Sequence, residues 1–239
     1  MTPNPRALAL IREAETTTTL LVEGVSMIVR PDWRLSSGAA AWTCLASGAE
    51  RLLKLTIGLS AEADGLPWPA DEIRHTYAHR LLLLRPDVDR ALGERLGRAP
   101  AAAYIASLVE LVAGDPYLPT IFEALAQWSD STGRYRDFEM LAGHEVQRNG
   151  PAATWEAAER LTWTARPDVL EGLAMPDNRS ALVTMRSELA GSVLRWWFLH
   201  YRAWAHGVFG PVAKQHSSSL DPRDIGAIRA LTSRLLTGL

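Results

Sequence analysis

Ala41, Leu45, Gly48, Leu52, Leu55 and Leu59 follow one another at alternating steps of four and three. That spacing lies on one face of an α-helix, and it is wrong for a strand, whose side chains alternate every second residue. The chain therefore reads as a long helix between Ser37 and Ser60. Thr43, Ser47, Glu50 and Lys54 form a separate polar stripe on it, and Glu50 precedes Lys54 by four residues, the favourable order for an ion pair. Pro5 to about Arg30 reads as a helix before it, weakened by the Thr16–Thr19 run and stopped by Pro31.

The same period recurs between proline- and glycine-marked breaks to the end of the chain. Gly65 to Pro69 is a turn. A helix then starts near Ala70 or Asp71 and carries residues 71–84. Pro86 interrupts it, and Asp87 to Gly97 reads as a further short helix. Pro100 to Val112 and Pro119 to Ser131 follow, then a loop or helix start from Gly133 to Phe138. Later helices are expected at Pro151–Thr164, Pro167–Ala174 and Arg179–Val208. Lys214 to Ser219 reads as a polar linker. Asp221-Pro222 opens a last helix with Ile225, Ile228, Leu231 and Leu235 on its packing face. No strand-like alternation competes. The expected fold is all-α, an antiparallel helical bundle with short connections. A weak boundary near residues 143–152 separates 1–142 from a C-terminal helical extension, 143–239, which either packs on the first unit or continues it as one domain.

Composition excludes several classes. With 47% apolar and 22% charged residues, the 239-residue chain is neither disordered nor fibrous. One cysteine, Cys44, leaves no disulfide framework and no cysteine zinc site within a chain. A net charge of −2 gives no global basic field, so a nucleic-acid site has to be local. No apolar stretch is long enough to span a membrane, and charges occur too early for a signal peptide, so the expected location is the cytoplasm. No phosphate-loop, dinucleotide or metal-ligand motif appears, so no cofactor and no metal are expected.

The segment Arg74-His75-Thr76-Tyr77-Ala78-His79-Arg80 packs two arginines and two histidines into seven positions of one expected helix. On a continuous helix His75 and His79 share a face. Imidazole gives or takes a proton near neutral pH, and guanidinium presents a planar fork to phosphate. Together they can cut RNA without a metal: one group activates the 2′-hydroxyl, one protonates the leaving 5′-oxygen, and one neutralises the phosphorane oxygens.

Arg74-His75-x-x-x-His79 resembles the R-x(4–6)-H signature of the HEPN superfamily, in the form with a polar residue after the arginine. The preceding Gly48-Ala49-Glu50-Arg51-Leu52-Leu53-Lys54-Leu55 is similar to the amphipathic second helix of those proteins. The resemblance covers residues 5–140. It implies a helical bundle and a metal-independent endoribonuclease of a toxin–antitoxin, antiviral defence or stress system. In it Arg74 clamps phosphate, His79 is the general base or acid, and His75 assists. Active HEPN proteins pair two motifs across one cleft. This chain has one, so the resemblance implies a homodimer acting on single-stranded RNA. The segment also aligns with a lysine-x-x-glycine-histidine pattern of other HEPN-like proteins, with Ala78 in the glycine's place and His79 then a packing or capping residue. That alternative is a non-catalytic helical module binding a partner protein such as an antitoxin, a nucleotide or RNA.

Arg134-Tyr135-Arg136, with two arginines flanking a ring, is the second candidate for substrate contact, together with Arg80. Its ordinary reading is a surface loop paired with nearby carboxylates. In Leu194 to His206, Trp197, Tyr201 and Trp204 form one stripe, and Arg195, Leu199, Arg202 and His206 another. Core packing or a dimer interface is the simpler reading, and a ligand groove the sharper one.

Overall fold

The computed structural model describes residues 4–30, 32–34, 38–97, 99–145, 150–224 and 229–236. Helices account for nearly all of them, and no strand occurs among the described residues. In order they are α1 (Pro5–Ile28), α2 (Ala39–Ala63), a π-helical turn (Glu72–Tyr77), α3 (Leu81–Leu96), α4 (Ala102–Ala113) and α5 (Leu118–Ser129). Then come α6 (Ser131–Arg134), α7 (Arg136–Leu141), α8 (Pro151–Ala165), α9 (Pro167–Leu173) and α10 (Arg179–Ala205). The chain ends with α11 (Gly210–His216), two 3₁₀ turns (Ser217–Leu220 and Pro222–Asp224) and α12 (Arg229–Leu235). The fold is an all-α helical bundle.

The six periodic residues of α2 are all buried. α2 packs most extensively on α1, and the two helices interlock through glycines. A Cβ on Gly24 would come within 2.5 Å of the Leu45 side chain, and one on Gly48 within 2.8 Å of Leu21. Each helix thus sinks a leucine into the other's glycine gap. The threonine run is tolerated because Thr16, Thr17 and Thr19 return their hydroxyls to carbonyls four residues back. Thr18 reaches instead across the bundle to the Ser219 carbonyl at 2.6 Å.

α10 is the central strut. It is buried on all sides from Met185 to Trp204, as a core helix must be when neighbours surround it. One continuous core joins its residues with those of α1 to α5 and α8, so packing runs through both halves of the chain. Of its two sequence stripes, Trp197, Tyr201, Trp204 and Leu199 pack in this core. Arg195 pairs with the buried Asp115 at 2.6 Å, and Asp115 also accepts from Ser192 and from the Tyr117 and Leu118 amides that open α5. Arg202 stacks on Tyr104 and Tyr201 and contacts the His206 ring nitrogen at 2.9 Å. These arginines tie the bundle together.

Three boundaries differ from the expectation. The helix expected to run on from residue 70 breaks at residues 78–80. Pro86 lies inside α3 and does not divide it, because the bond it cannot make belongs to the carbonyl of solvent-exposed Leu82. The segment read as a polar linker is helical, with Ala213 and Leu220 buried against the bundle. Of the last helix's expected face, Ile225 and Ile228 lie outside the described residues. No single helix among the described residues is long and apolar enough to cross a membrane; the bent pair α4–α5 passes by composition, and its apolar face is in the core.

His200 is the costly residue of the core. It is fully buried against Trp196, ring centroids 4.9 Å apart, and neither ring nitrogen has a hydrogen-bond partner among the described residues. Burial first, and the Arg85 charge second, push its imidazole down to about 3. Between that value and the ordinary one near 6.5, the unfolded chain binds a proton that the folded chain refuses. Stability therefore falls as pH drops through this window, by about 1.4 kcal/mol per pH unit. Urea midpoints measured from pH 7 to pH 4 should show this acid loss, and His200→Leu should flatten it. Parallel slopes for the two proteins would refute the assignment.

Candidate functional site

The polar stripe of α2 faces the turn that follows it. Lys54 Nζ donates to Glu50 Oε1 at 2.6 Å and to the Ala78 carbonyl, and Glu50 Oε2 meets His79 Nδ1 at 3.0 Å. The carboxylate and ammonium are shielded, with 14% and 19% of their side chains exposed, while His79 is 65% exposed. α2 thus supplies a fixed pair and the turn supplies an accessible imidazole.

The turn is why His79 stands there. The Arg80 amide donates to the Tyr77 carbonyl at 2.6 Å, closing a reverse turn over Ala78 and His79. Ala78 sits at φ 41°, ψ −108°, close to the first central position of a type II′ turn, which glycine normally takes. Tyr77 is buried and donates its hydroxyl to Asp87 at 2.8 Å. Ten residues of continuous helix would hold those two residues about 15 Å apart, so the reversal is what lets them bond. Burial and the Asp87 carboxylate push the Tyr77 hydroxyl up, while Arg90 and then Tyr77 hold Asp87 down.

His79 lines a groove of about 420 Å³ together with Ser47, Glu50, Arg51, Lys54 and Arg134. Arg134 arrives from α6, which is pressed so closely onto α5 that a Cβ on Gly133 would lie 1.7 Å from the Gln127 carbonyl oxygen. Arg51 pairs with Glu13 across the groove and Lys54 with Glu50. Arg134 has no carboxylate within ion-pairing distance among the described residues. With Nδ1–H donating to Glu50, His79 presents Nε2 as the proton acceptor. The arrangement offers an oriented base in a groove that also holds a cation able to take an anion.

Of the residues singled out from sequence, His79 and Arg134 meet in this groove and the others do not. Arg74 and His75 are exposed on the π-helical turn and line neither groove that His79 borders. Since the chain turns at residues 77–80, His75 and His79 share no helical face; the expectation of a continuous helix is corrected here. Arg80 lies across the turn on a second groove of about 670 Å³ with Leu82 and Leu83, its guanidinium 3.4 Å from the Thr76 carbonyl. Tyr135 packs on Phe138, ring centroids 6.4 Å apart, and both are largely exposed. Arg136 lies against Gly150. Glu50, Lys54 and Arg51 were the residues that sequence reasoning left unassigned. For Glu50 and Lys54 the signal was the polar stripe on α2, read there as carrying an ion pair at helical spacing; Arg51 lies outside that stripe.

Comparison with known proteins finds no match: no family model, no curated protein and no solved structure matches the chain. Among the described residues no group of three or more His, Cys, Asp or Glu side chains is arranged to hold a metal ion.

A non-glycine residue in the conformation of Ala78 is strained by about 1 kcal/mol or more. Ala78→Gly should relieve it and raise the melting temperature by about 2–4 °C for a chain of this size, as read by thermal circular dichroism. A lower melting temperature would show that Ala78 does not hold this backbone conformation in solution.

Proposed function

We propose that the chain is a metal-independent endoribonuclease of HEPN type, acting in defence or stress response, whose working groups are His79, Glu50 and Arg134. The observation that carries this reading is the Glu50–His79 contact, which orients an exposed imidazole in a groove shared with an arginine that has no ion pair among the described residues. His79 Nε2 takes the proton of a ribose 2′-hydroxyl. The 2′-oxygen attacks phosphorus, the bond from phosphorus to the 5′-oxygen breaks, and a 2′,3′-cyclic phosphate and a 5′-hydroxyl result. Arg134 neutralises the phosphorane oxygens, the role that the motif alone would have given to Arg74. The departing oxygen takes its proton from a second group, which in a homodimer is His79 of the partner subunit.

A second reading has its own observation. On α7, Phe138, Met140 and Leu141 are 69%, 54% and 84% exposed. Such a patch suits a partner protein, and it favours the non-catalytic module, in which Glu50 and Lys54 serve to clamp the turn.

Purified protein incubated with single-stranded RNA in EDTA separates the two. Cleavage to cyclic-phosphate ends is expected, since every step above uses side chains alone. His79→Ala should lower the rate about 10²–10⁴-fold, as loss of a general acid–base group does. Glu50→Gln and Arg134→Ala should also lower it, and Arg74→Ala should leave it within a few-fold of wild type. Equal RNA decay with wild type and folded His79→Ala protein would overturn the nuclease and leave the binding module. A monomeric mass by light scattering at micromolar concentration would count against the paired site.

A further inference from the structure

The His79 groove does not end at the catalytic groups. Trp68, from the turn between α2 and the π-helical segment, also lines it, and Trp68, Leu55 and Glu13 are shared with another cavity of about 640 Å³. That cavity's surface is mainly apolar, with Leu10, Leu55 and Val212 in its lining, and its polar lining groups are Asn4, Arg6, Glu13, Glu62, Gln215 and His216. Flat apolar walls with a few edge donors and acceptors are what a nucleobase requires.

Trp68 is fixed in place. The outer edge of its six-membered ring abuts Gly58 of α2, where a Cβ would come within 2.2 Å of Cη2. The Arg6 guanidinium lies 6.0 Å from its ring centroid and is held by Glu62 at 2.9 Å. A half-buried indole that loses little freedom on contact is a good stacking surface. None of the groups assigned to proton transfer or phosphate binding uses it.

We infer that Trp68 is the base-stacking platform of the RNA site, holding the nucleobase next to the phosphate that Arg134 and His79 engage, with the 640 Å³ cavity as that base's subsite. The inference rests on the ribonuclease reading for its ligand, and it adds the residue that grips the substrate's base. Stacking is tolerant of base identity, so the platform positions single-stranded RNA and leaves selectivity to the polar lining groups Asn4, Gln215 and His216. A duplex, with its bases already stacked inside, cannot offer one to it.

The test is binding without cleavage. A fluorescein-labelled single-stranded oligoribonucleotide is titrated with the His79→Ala chain, alone and combined with Trp68→Ala, Trp68→Leu or Trp68→Phe, and Kd is read by anisotropy. Trp68→Ala and Trp68→Leu should weaken binding roughly 5- to 150-fold, the usual worth of one stacked base, while Trp68→Phe keeps most of it. Irradiating the His79→Ala complex with 5-iodouridine-substituted RNA should crosslink the peptide carrying Trp68, a readout that needs no Trp68 variant to fold. If RNA binds, weakens with Arg134→Ala, but ignores all three Trp68 substitutions and crosslinks elsewhere, the platform is wrong and the nuclease reading stands. If neither wild type nor His79→Ala binds RNA, both fall.

Discussion

The rest of the molecule depends on how closely α1 and α2 approach. Leu45 fills the gap at Gly24, and Leu21 fills the one at Gly48. Two helices that meet through glycines bring their backbones close, and the contact permits only one register, since a shift would drive leucine into a neighbour with a Cβ. That register fixes which face of α2 is left over. Thr43, Ser47, Glu50 and Lys54 are that remainder. Thr43 accepts the Trp128 indole N–H at 3.0 Å, and the other three line the His79 groove. The site is the outer face of the helix whose inner face builds the core.

In a chain of net charge −2, the electrostatics of that outer face are a local matter. Lys54 and Arg51 are each matched by a carboxylate, so they contribute little field beyond the groove. Arg134, of the cations lining the groove, has no carboxylate within ion-pairing distance among the described residues, and it is carried by the four-residue α6, pinned where Gly133 meets the Gln127 carbonyl. One guanidinium unpaired among the described residues, in an open groove, suits one phosphate. It does not suit a broad polyanion surface, and that agrees with a chain lacking a basic field.

What the sequence made legible was whatever depends on local period. The buried face of α2, the proline starts of α8 and α9, and the extent of α10 all follow from spacing and from prolines or caps nearby. The turn at residues 77–80 was not legible, for a physical reason. It contains neither glycine nor proline, and its conformation is held by partners distant in sequence: Lys54 on the Ala78 carbonyl, Glu50 on His79, Asp87 on Tyr77. With no local break signal, the helical period ran on and placed His75 beside His79. The lysine-x-x-glycine-histidine alignment contained the missing hint, since it put Ala78 where a glycine belongs, and Ala78 has the positive φ that glycine favours. For Arg134 the residue was visible in the sequence, but not its neighbour.

The clamp on this turn joins stability to the proposed chemistry. Glu50 divides its two oxygens between Lys54 and His79, so the group that would orient the imidazole also holds the lysine that secures the strained residue before it. Strain at Ala78 persists only because the surroundings over-determine it, which is the usual condition for strain near a working site. The two readings of the site therefore differ over one atom. If the turn exists for the fold, Oε2 of Glu50 needs only some donor there, and any residue able to hydrogen-bond could stand at position 79. If it exists for chemistry, the donor has to be an imidazole, because only then does the opposite edge of the same ring present a basic nitrogen to the groove. A side chain that bonds Glu50 equally well but carries no such nitrogen, as asparagine does, keeps the clamp and loses the base.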